Sequence, residues 1–242
     1  MNTILLFGKT DQGLYRKKNE DTILTNEEES FCLVADGIGG TAAGDIASRI
    51  FAETAQEIFS LRHAGQNGES EQIQKAFQLA NDRILKYAEG HPGCTGMGCT
   101  AELLAFNKTG FVLGHMGDSR TYRLRKGTLK QLTTDHSLVQ EQLDQGLITR
   151  EEALKHPFKN VISRAVGIKK NPALDILKGS IFGGDLFLLC SDGLTDMIGA
   201  DLIQQHLSSA AGIREKTENL INEANACGGK DNISVVLAQI TE

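Results

Sequence analysis

The sequence predicts an α+β fold built on antiparallel sheets, and three observations carry that prediction. Segments with helical periodicity come as neighbours in the chain, strand-like runs come in succession, and the runs between residues 100 and 132 are joined by only a few residues. Parallel neighbours need a crossover of a dozen or more residues, so such short joins permit antiparallel ones alone.

The opening Met1-Asn2-Thr3-Ile4-Leu5-Leu6-Phe7 is apolar but lacks the basic start and small-residue cleavage site of a secretory signal, and it reads as a first strand. Phe31 to Ala35 is an uninterrupted apolar run, the pattern of a strand buried on both faces. After a glycine-rich turn, Ile46, Ile50, Thr54 and Ile58 recur every four residues and predict one face of a helix. Gln66 to Ser70 is a polar break, and Ile73, Phe77, Ala80, Ile84 and Ala88 then mark a second helix. A meander is predicted next: Thr100 to Phe106, a turn at residues 107–110, Phe111 to Met116, then Thr121 to Leu124 and Leu129 to Leu132 around Lys126-Gly127. Thr133 to Arg164 is polar and mixed, with one or two short helical pieces, and is expected to be a surface flap. Leu186 to Cys190 resumes the strands, Ile213, Thr217, Leu220 and Ala224 predict a late helix, and Ile233 to Ala238 predicts a closing buried strand.

The 242 residues suffice for one sizeable core, and neither low-complexity sequence nor a long linker divides them, so residues 1–242 are expected to form one domain. With 40% hydrophobic and 23% charged residues and no apolar run near the ~20 residues of a membrane helix, the chain is expected to be soluble. Five cysteines, an odd number without a Cys-x-x-Cys pair, argue against a disulfide framework and a zinc knuckle and favour the cytoplasm. Cys32 and Cys190 sit inside apolar runs and read as small hydrophobes. A net charge of −6 disfavours nucleic acid and anionic membrane surfaces as partners. Monomer is the default expectation.

Acidic residues mark the ends of the apolar runs. Asp36-Gly37 and Asp192-Gly193 each follow one, Asp231-Asn232 precedes another, and Gly117-Asp118-Ser119-Arg120 lies between two predicted strands. A carboxylate at the end of a buried strand is costly to keep charged unless a positive group meets it, so four such sites point to a shared cation. Carboxylates without a His/Cys cluster suit hard ions such as Mg²⁺ or Mn²⁺ and not zinc. Of the six histidines, His115, His136 and His156 are scattered without ligand spacing and read as packing or surface residues. Glycines after Asp36 allow a sharp turn and room for an ion or a phosphate, with a backbone carbonyl as a further ligand. Near the start, Arg16 precedes Glu20 and Asp21 at short range, and a guanidinium beside a metal centre is suited to gripping phosphate oxygens.

Taken together, Arg16-x-x-Asn19-Glu20-Asp21, Asp36-Gly37-x-Gly39-Gly40, Gly117-Asp118-Ser119-Arg120, Asp135-His136-Ser137, Ser191-Asp192-Gly193-Leu194 and Gly229-x-Asp231-Asn232 resemble, in order and spacing, the metal-dependent Ser/Thr protein phosphatases of the 2C (PPM) type. The resemblance spans nearly the whole chain and is to the compact bacterial branch. It implies a four-layer αββα sandwich, two central antiparallel sheets flanked by helix pairs, with a two-metal site at one end of the sheets. By the family pattern Asp36 would serve both ions, the Gly37 carbonyl the second, and Asp192 and Asp231 the first. Glu20 and Asp21 would act mainly through metal-bound waters, and Asp118 would hold a third, looser ion. The implied reaction is hydrolysis of phosphoserine and phosphothreonine by a water bridging two Mn²⁺ or Mg²⁺ ions, with Arg16 holding phosphate oxygens. The family's eukaryotic branch has a histidine where this chain has Ile38, so the leaving-group proton is expected from a metal-bound water. Residues 137–164 match the family's variable flap. Implied partners are phosphorylated proteins, a cognate Ser/Thr kinase and its targets. Thr100 and Asn160 receive no role.

Three other readings compete. Gly37-Ile38-Gly39-Gly40-Thr41-Ala42 fits a dinucleotide-binding pattern, but the parallel strand and acidic ribose ligand that should follow are missing. Ser119 as a hydrolase nucleophile lacks a strand-to-helix elbow. A catalytically silent phosphoprotein-binding module of the same fold would be expected to lose metal carboxylates, whereas Asp36, Asp192 and Asp231 are all present.

Overall fold

The computed structural model describes residues 3–39, 43–61, 68–108, 110–171 and 173–241. Gly40 to Ala42 of the first glycine motif, Gln66-Asn67 of the inter-helix break and Thr109 of the first turn lie outside them.

Strands β1 (Thr3–Asp11), β2 (Thr22–Asn26), β3 (Phe31–Ala35) and β4 (Gly37–Ile38) precede helices α1 (Gly44–Ser60) and α2 (Glu69–Gly90). Then come β5 (Gly98–Cys99), β6 (Ala101–Phe106), β7 (Gly110–Met116), β8 (Arg120–Arg125) and β9 (Thr128–Gln131). The flap holds α3 (Leu138–Asp144) and α4 (Arg150–Leu154), and the chain continues through β10 (Asp175–Ser180), β11 (Leu186–Cys190), α5 (Asp192–Thr195), α6 (Ala200–Ser208), α7 (Ile213–Ala226) and β12 (Ile233–Thr241).

Two five-stranded sheets result, β1-β12-β11-β8-β9 and β10-β7-β6-β3-β2, with β4 and β5 forming a small separate ribbon. Every strand pair among the described residues is antiparallel. The continuous apolar runs are explained by burial on both faces. Phe31, Leu33 and Ala35 of β3 pack on Ala47, Phe51 and Ala55 of α1 and on Phe77 of α2. The alternate residues Cys32 and Val34 face the other way and join Leu104, Phe187, Leu189 and Val236 between the sheets. On the far side, Leu188, Cys190, Val235 and Leu237 meet Ile203 and Leu207 of α6 and Leu220 and Ala224 of α7. The order is helix pair, sheet, sheet, helix pair, the four-layer arrangement implied by the resemblance.

Two expectations need correction. The buried row of α1 is Ala47, Phe51, Ala55 and Phe59 with Thr54, while Ile46, Ile50 and Ile58 flank it half-buried. Alanines let the helix approach closely, so the large isoleucines border the contact. The predicted meander is two hairpins, β6-β7 in one sheet and β8-β9 in the other. Residues 117–119 cross between the sheets, delivering Arg120 to a partner, Cys190 on β11, that β7 never meets. A short connection fixes nearness in space, not hydrogen bonding between the strands it joins.

Candidate active site

The acidic strand ends converge at one edge of the sandwich. Asp36 leaves β3, and its N–H donates to Thr100 Oγ1 at 3.1 Å while its carbonyl accepts from Thr100 N–H at 2.8 Å. Thr100 Oγ1 also hydrogen-bonds Ser119 Oγ at 2.7 Å, tying the Asp36 turn to the 117–119 crossover. Asp192 opens α5 directly after β11, and Asp231 stands two residues before β12. Asn232 organises the facing loop: its Oδ1 accepts from Glu20 N–H at 2.9 Å, and its Nδ2 donates to the carbonyls of Gln12 (2.9 Å) and Lys18 (3.0 Å). That loop presents Glu20 inward and Arg16 at the rim, where Arg16 Nη2 donates to Asp231 Oδ2 at 2.5 Å.

These elements enclose a cavity of about 230 Å³ lined by Arg16, Glu20, Asp36, Gly37, Asp118, Asp192 and Asp231, with Thr100, Asn160, Ile162 and Asn232 among its other walls. Seven of the eight residues singled out from sequence share it. The eighth, Asp21, is not on the wall; it is 8% exposed, with Oδ2 accepting from Ser191 Oγ at 2.8 Å. Gly37 and Gly39 line the cavity, and Gly37 and Gly193 also meet a packing demand. A Cβ on Gly37 would lie 2.3 Å from the Gly44 backbone, and one on Gly193 would lie 1.9 Å from the Asn232 carbonyl oxygen. Both positions are occupied by neighbouring main chain, which brings α1 and the Asp231 loop against the acidic strand ends.

Burial pushes the Asp36 carboxyl well above the usual carboxylate range, and repulsion from Asp21, Asp192, Asp118 and Asp231 adds to it. Asp192 is raised likewise, first by burial and then by Asp118, Asp231 and Asp196. Asp21 and Asp118 are each pushed up to about 6, chiefly by burial. Asp21 Oδ1 and Asp192 Oδ1 are buried without a hydrogen-bond partner. Arg16, 51% exposed and raised mainly by its bond to Asp231, is the only cationic side chain lining the cavity among the described residues. Buried like charges with unsatisfied oxygens are stable only beside further positive charge.

An all-oxygen lining fits hard divalent cations, which commonly keep several waters. Among the described residues no three His, Cys, Asp or Glu side chains form a ready-made cage. The fit is therefore to ions whose shells are completed by water and backbone oxygen. No described histidine lines the cavity; Ile38 occupies part of its wall. Ser119 is fully buried and bonded to Thr100, which removes it as a nucleophile. The β4-β5 ribbon is antiparallel, so the glycine motif has no parallel dinucleotide-binding unit around it. Thr100 and Asn160, given no role from sequence, both line the cavity. Neither carries a local signal, since one is placed by β5 and the other by the fold of the flap.

A family model described as protein phosphatase 2C matches residues 16–238. The chain belongs to the protein phosphatase 2C family, and its fold is that of these metal-dependent phosphatases. It is 37% identical over 236 residues to the serine/threonine phosphatase stp of Listeria welshimeri, covering 96% of this chain and 94% of that protein. It is 36% identical over 241 residues to the serine/threonine protein phosphatase PstP of Mycobacterium tuberculosis, covering 97% of this chain and 44% of PstP. The crystal structure of the M. tuberculosis phosphatase PstP/Ppp superposes with a TM-score of 0.92 at 33% identity over 99% of both chains. A structure of the PstP catalytic domain in complex with two manganese ions gives 0.91 at 32% identity over the whole of both chains.

Proposed function

We propose that the carboxylate cavity is the hydrolytic centre of a protein serine/threonine phosphatase that releases phosphate from phosphoserine and phosphothreonine. The observation that carries this reading is the convergence of Asp36, Asp118, Asp192 and Asp231 on one cavity with a single guanidinium at its rim. Asp36 is assigned to both core ions, the Gly37 carbonyl to the second, Asp192 and Asp231 to the first, and Asp118 to a third. Glu20 and Asp21 act through water, in keeping with the place of Asp21 behind the wall. Mn²⁺ is the first choice for the core pair, because a structural relative at 32% identity is described with two manganese ions; Mg²⁺ satisfies the same oxygen chemistry.

Such ions lower the pKa of water toward neutrality and polarise phosphoryl oxygens. The chain's own contribution is placement and charge. Arg16 exchanges Asp231 for two phosphate oxygens, a pairing its planar fork favours. Ile38 offers no proton, so the leaving alkoxide takes one from water. Retention of Asp36, Asp192 and Asp231 favours this enzyme over a silent phosphoprotein-binding module.

The expected result is Mn²⁺- or Mg²⁺-dependent release of phosphate from p-nitrophenyl phosphate and phosphothreonine peptides, abolished by EDTA and by Asp192→Asn; turnover that survives thorough chelation rejects the reading. Residues 1–242 act as one catalytic domain, and no described helix is long and apolar enough to cross a membrane. The relatives' names support phosphorylated proteins as substrates, and a cognate Ser/Thr kinase, a monomeric state and a cytoplasmic setting complete the proposal.

A further inference from the structure

We propose that His136 is the positioning residue for Asp118, fixing the 117–119 crossover and the returning end of the flap in one register. The inference rests on the reading of Asp118 as a cation ligand. Asp118 sits in the middle of a three-residue crossing between sheets, so its direction is set by what holds its two neighbours. On one side Ser119 is held by Thr100, which also holds the Asp36 amide. On the other side Gly117 is held at both polar atoms by one residue: its N–H donates to His136 Nδ1 at 3.1 Å, and its carbonyl accepts from His136 N–H at 2.7 Å.

Because Nδ1 accepts from Gly117, the ring proton is on Nε2, which lies 3.1 Å from Asp175 Oδ2 and can donate to it. Arg164 Nη1 donates to the other oxygen of Asp175 at 3.1 Å, locking that carboxylate against the ring. The ring also lies against buried His115, centroid to centroid 4.4 Å and tilted by 33°, and His115 is itself anchored to Glu102 and to the Thr134 carbonyl. His136 is nearly fully buried, so its bond to the Gly117 amide is made away from water, while Asp175, 47% exposed, meets the ring at its solvent side. The His136 carbonyl accepts from Ser163 N–H at 2.8 Å, three residues beyond the cavity-lining Asn160. One buried imidazole therefore connects the strand β10, the flap's return and the backbone beneath Asp118.

The two ring nitrogens can be tested apart. Asparagine can place an oxygen near Nδ1 and keep the Gly117 acceptor; glutamine can reach toward Asp175 but leaves Gly117 without one. Binding of Mn²⁺ alone is measured on the full chain by the free-ion electron paramagnetic resonance signal, with Asp118→Asn as reference. The reference should lose the weakest binding step. His136→Gln should weaken that same step about tenfold or more, with the tighter steps within about twofold of the parent, and His136→Asn should restore it. Parental Mn²⁺ binding in His136→Gln, equal weakening of every step, or no rescue by asparagine overturns the inference while leaving the reading of Asp118 intact. If Asp118→Asn itself binds Mn²⁺ like the parent, the reading of Asp118 falls and the inference with it. Should His136→Gln not fold, ¹⁵N spectra of the unmutated protein decide: an unprotonated Nδ1 at neutral pH is expected, and a protonated Nδ1 overturns the inference.

Discussion

Replacing Asp21 by asparagine should stabilise the metal-free protein and weaken its hold on metal. Asp21 is buried behind the cavity, one of its oxygens has no partner, and its carboxyl is pushed from 3.8 up to about 6. A raised carboxyl favours folding only while it is protonated. Its contribution is whole below 3.8 and is lost as the pH climbs through about 6. At pH 7.5 the accumulated cost of holding the charge is about 3 kcal/mol, an upper figure because Asp36 shares the titration. In a chain of this length that corresponds to a rise in Tm of about 6–12 °C for Asp21→Asn in EDTA. The gain should shrink by roughly half at pH 5 and vanish below about pH 4, where the parent carries a proton there too. A thousandfold excess of Mn²⁺ over the parent's Kd should reverse the order, since it adds about 4.1 kcal/mol to the protein that binds it, more than the cost of the charge. Scanning calorimetry at pH 7.5, 5 and 4, with EDTA and with Mn²⁺, makes the comparison. A variant less stable than the parent in EDTA at pH 7.5 would refute the electrostatic account of this site.

Thr100→Val keeps the shape of the side chain but strands the Asp36 amide and Ser119 Oγ, so urea denaturation should register a loss of about 1–3 kcal/mol together with a fall in kcat. Unchanged values in both would mean that the Thr100 contacts are incidental. Arg16→Ala should mainly raise KM for p-nitrophenyl phosphate, because the guanidinium meets phosphate in ground state and transition state alike; an unaltered KM removes it from the site. Phe187 is fully buried between the sheets with its ring 5.0 Å from Phe111 and 5.5 Å from Phe106, and Phe187→Ala should cost about 3–5 kcal/mol by chemical denaturation. A loss under 1 kcal/mol would place the inter-sheet core elsewhere.

The interior strands are legible in the sequence because Phe31–Ala35 and Leu186–Cys190 are apolar at every position, which only burial on both faces demands. The terminal strands β2 and β10 of one sheet are not legible. Thr22–Asn26 and Asp175–Ser180 expose part of their surface and mix polar with apolar residues, as edge strands do. At the site, Asp36, Asp192 and Asp231 can be read as charges at the ends of buried runs, a local contradiction with a chemical cause. Thr100, Asn160 and His136 present no such contradiction. Their places depend on pairings such as Cys99 with Val166 and Ser137 with Ile162, contacts tens of residues apart that periodicity does not encode.

Strand β1 runs alongside β12 from Thr3 opposite Thr241 to Asp11 opposite Ile233. At about 3.3 Å per residue, Thr3 and Thr241 lie together some 26 Å along the ribbon from the Asp231 loop. A tether, tag or second module joined at either position would leave from the pole opposite the reaction. Cargo hung there could swing on its leash without shading the mouth that a phosphorylated partner must reach.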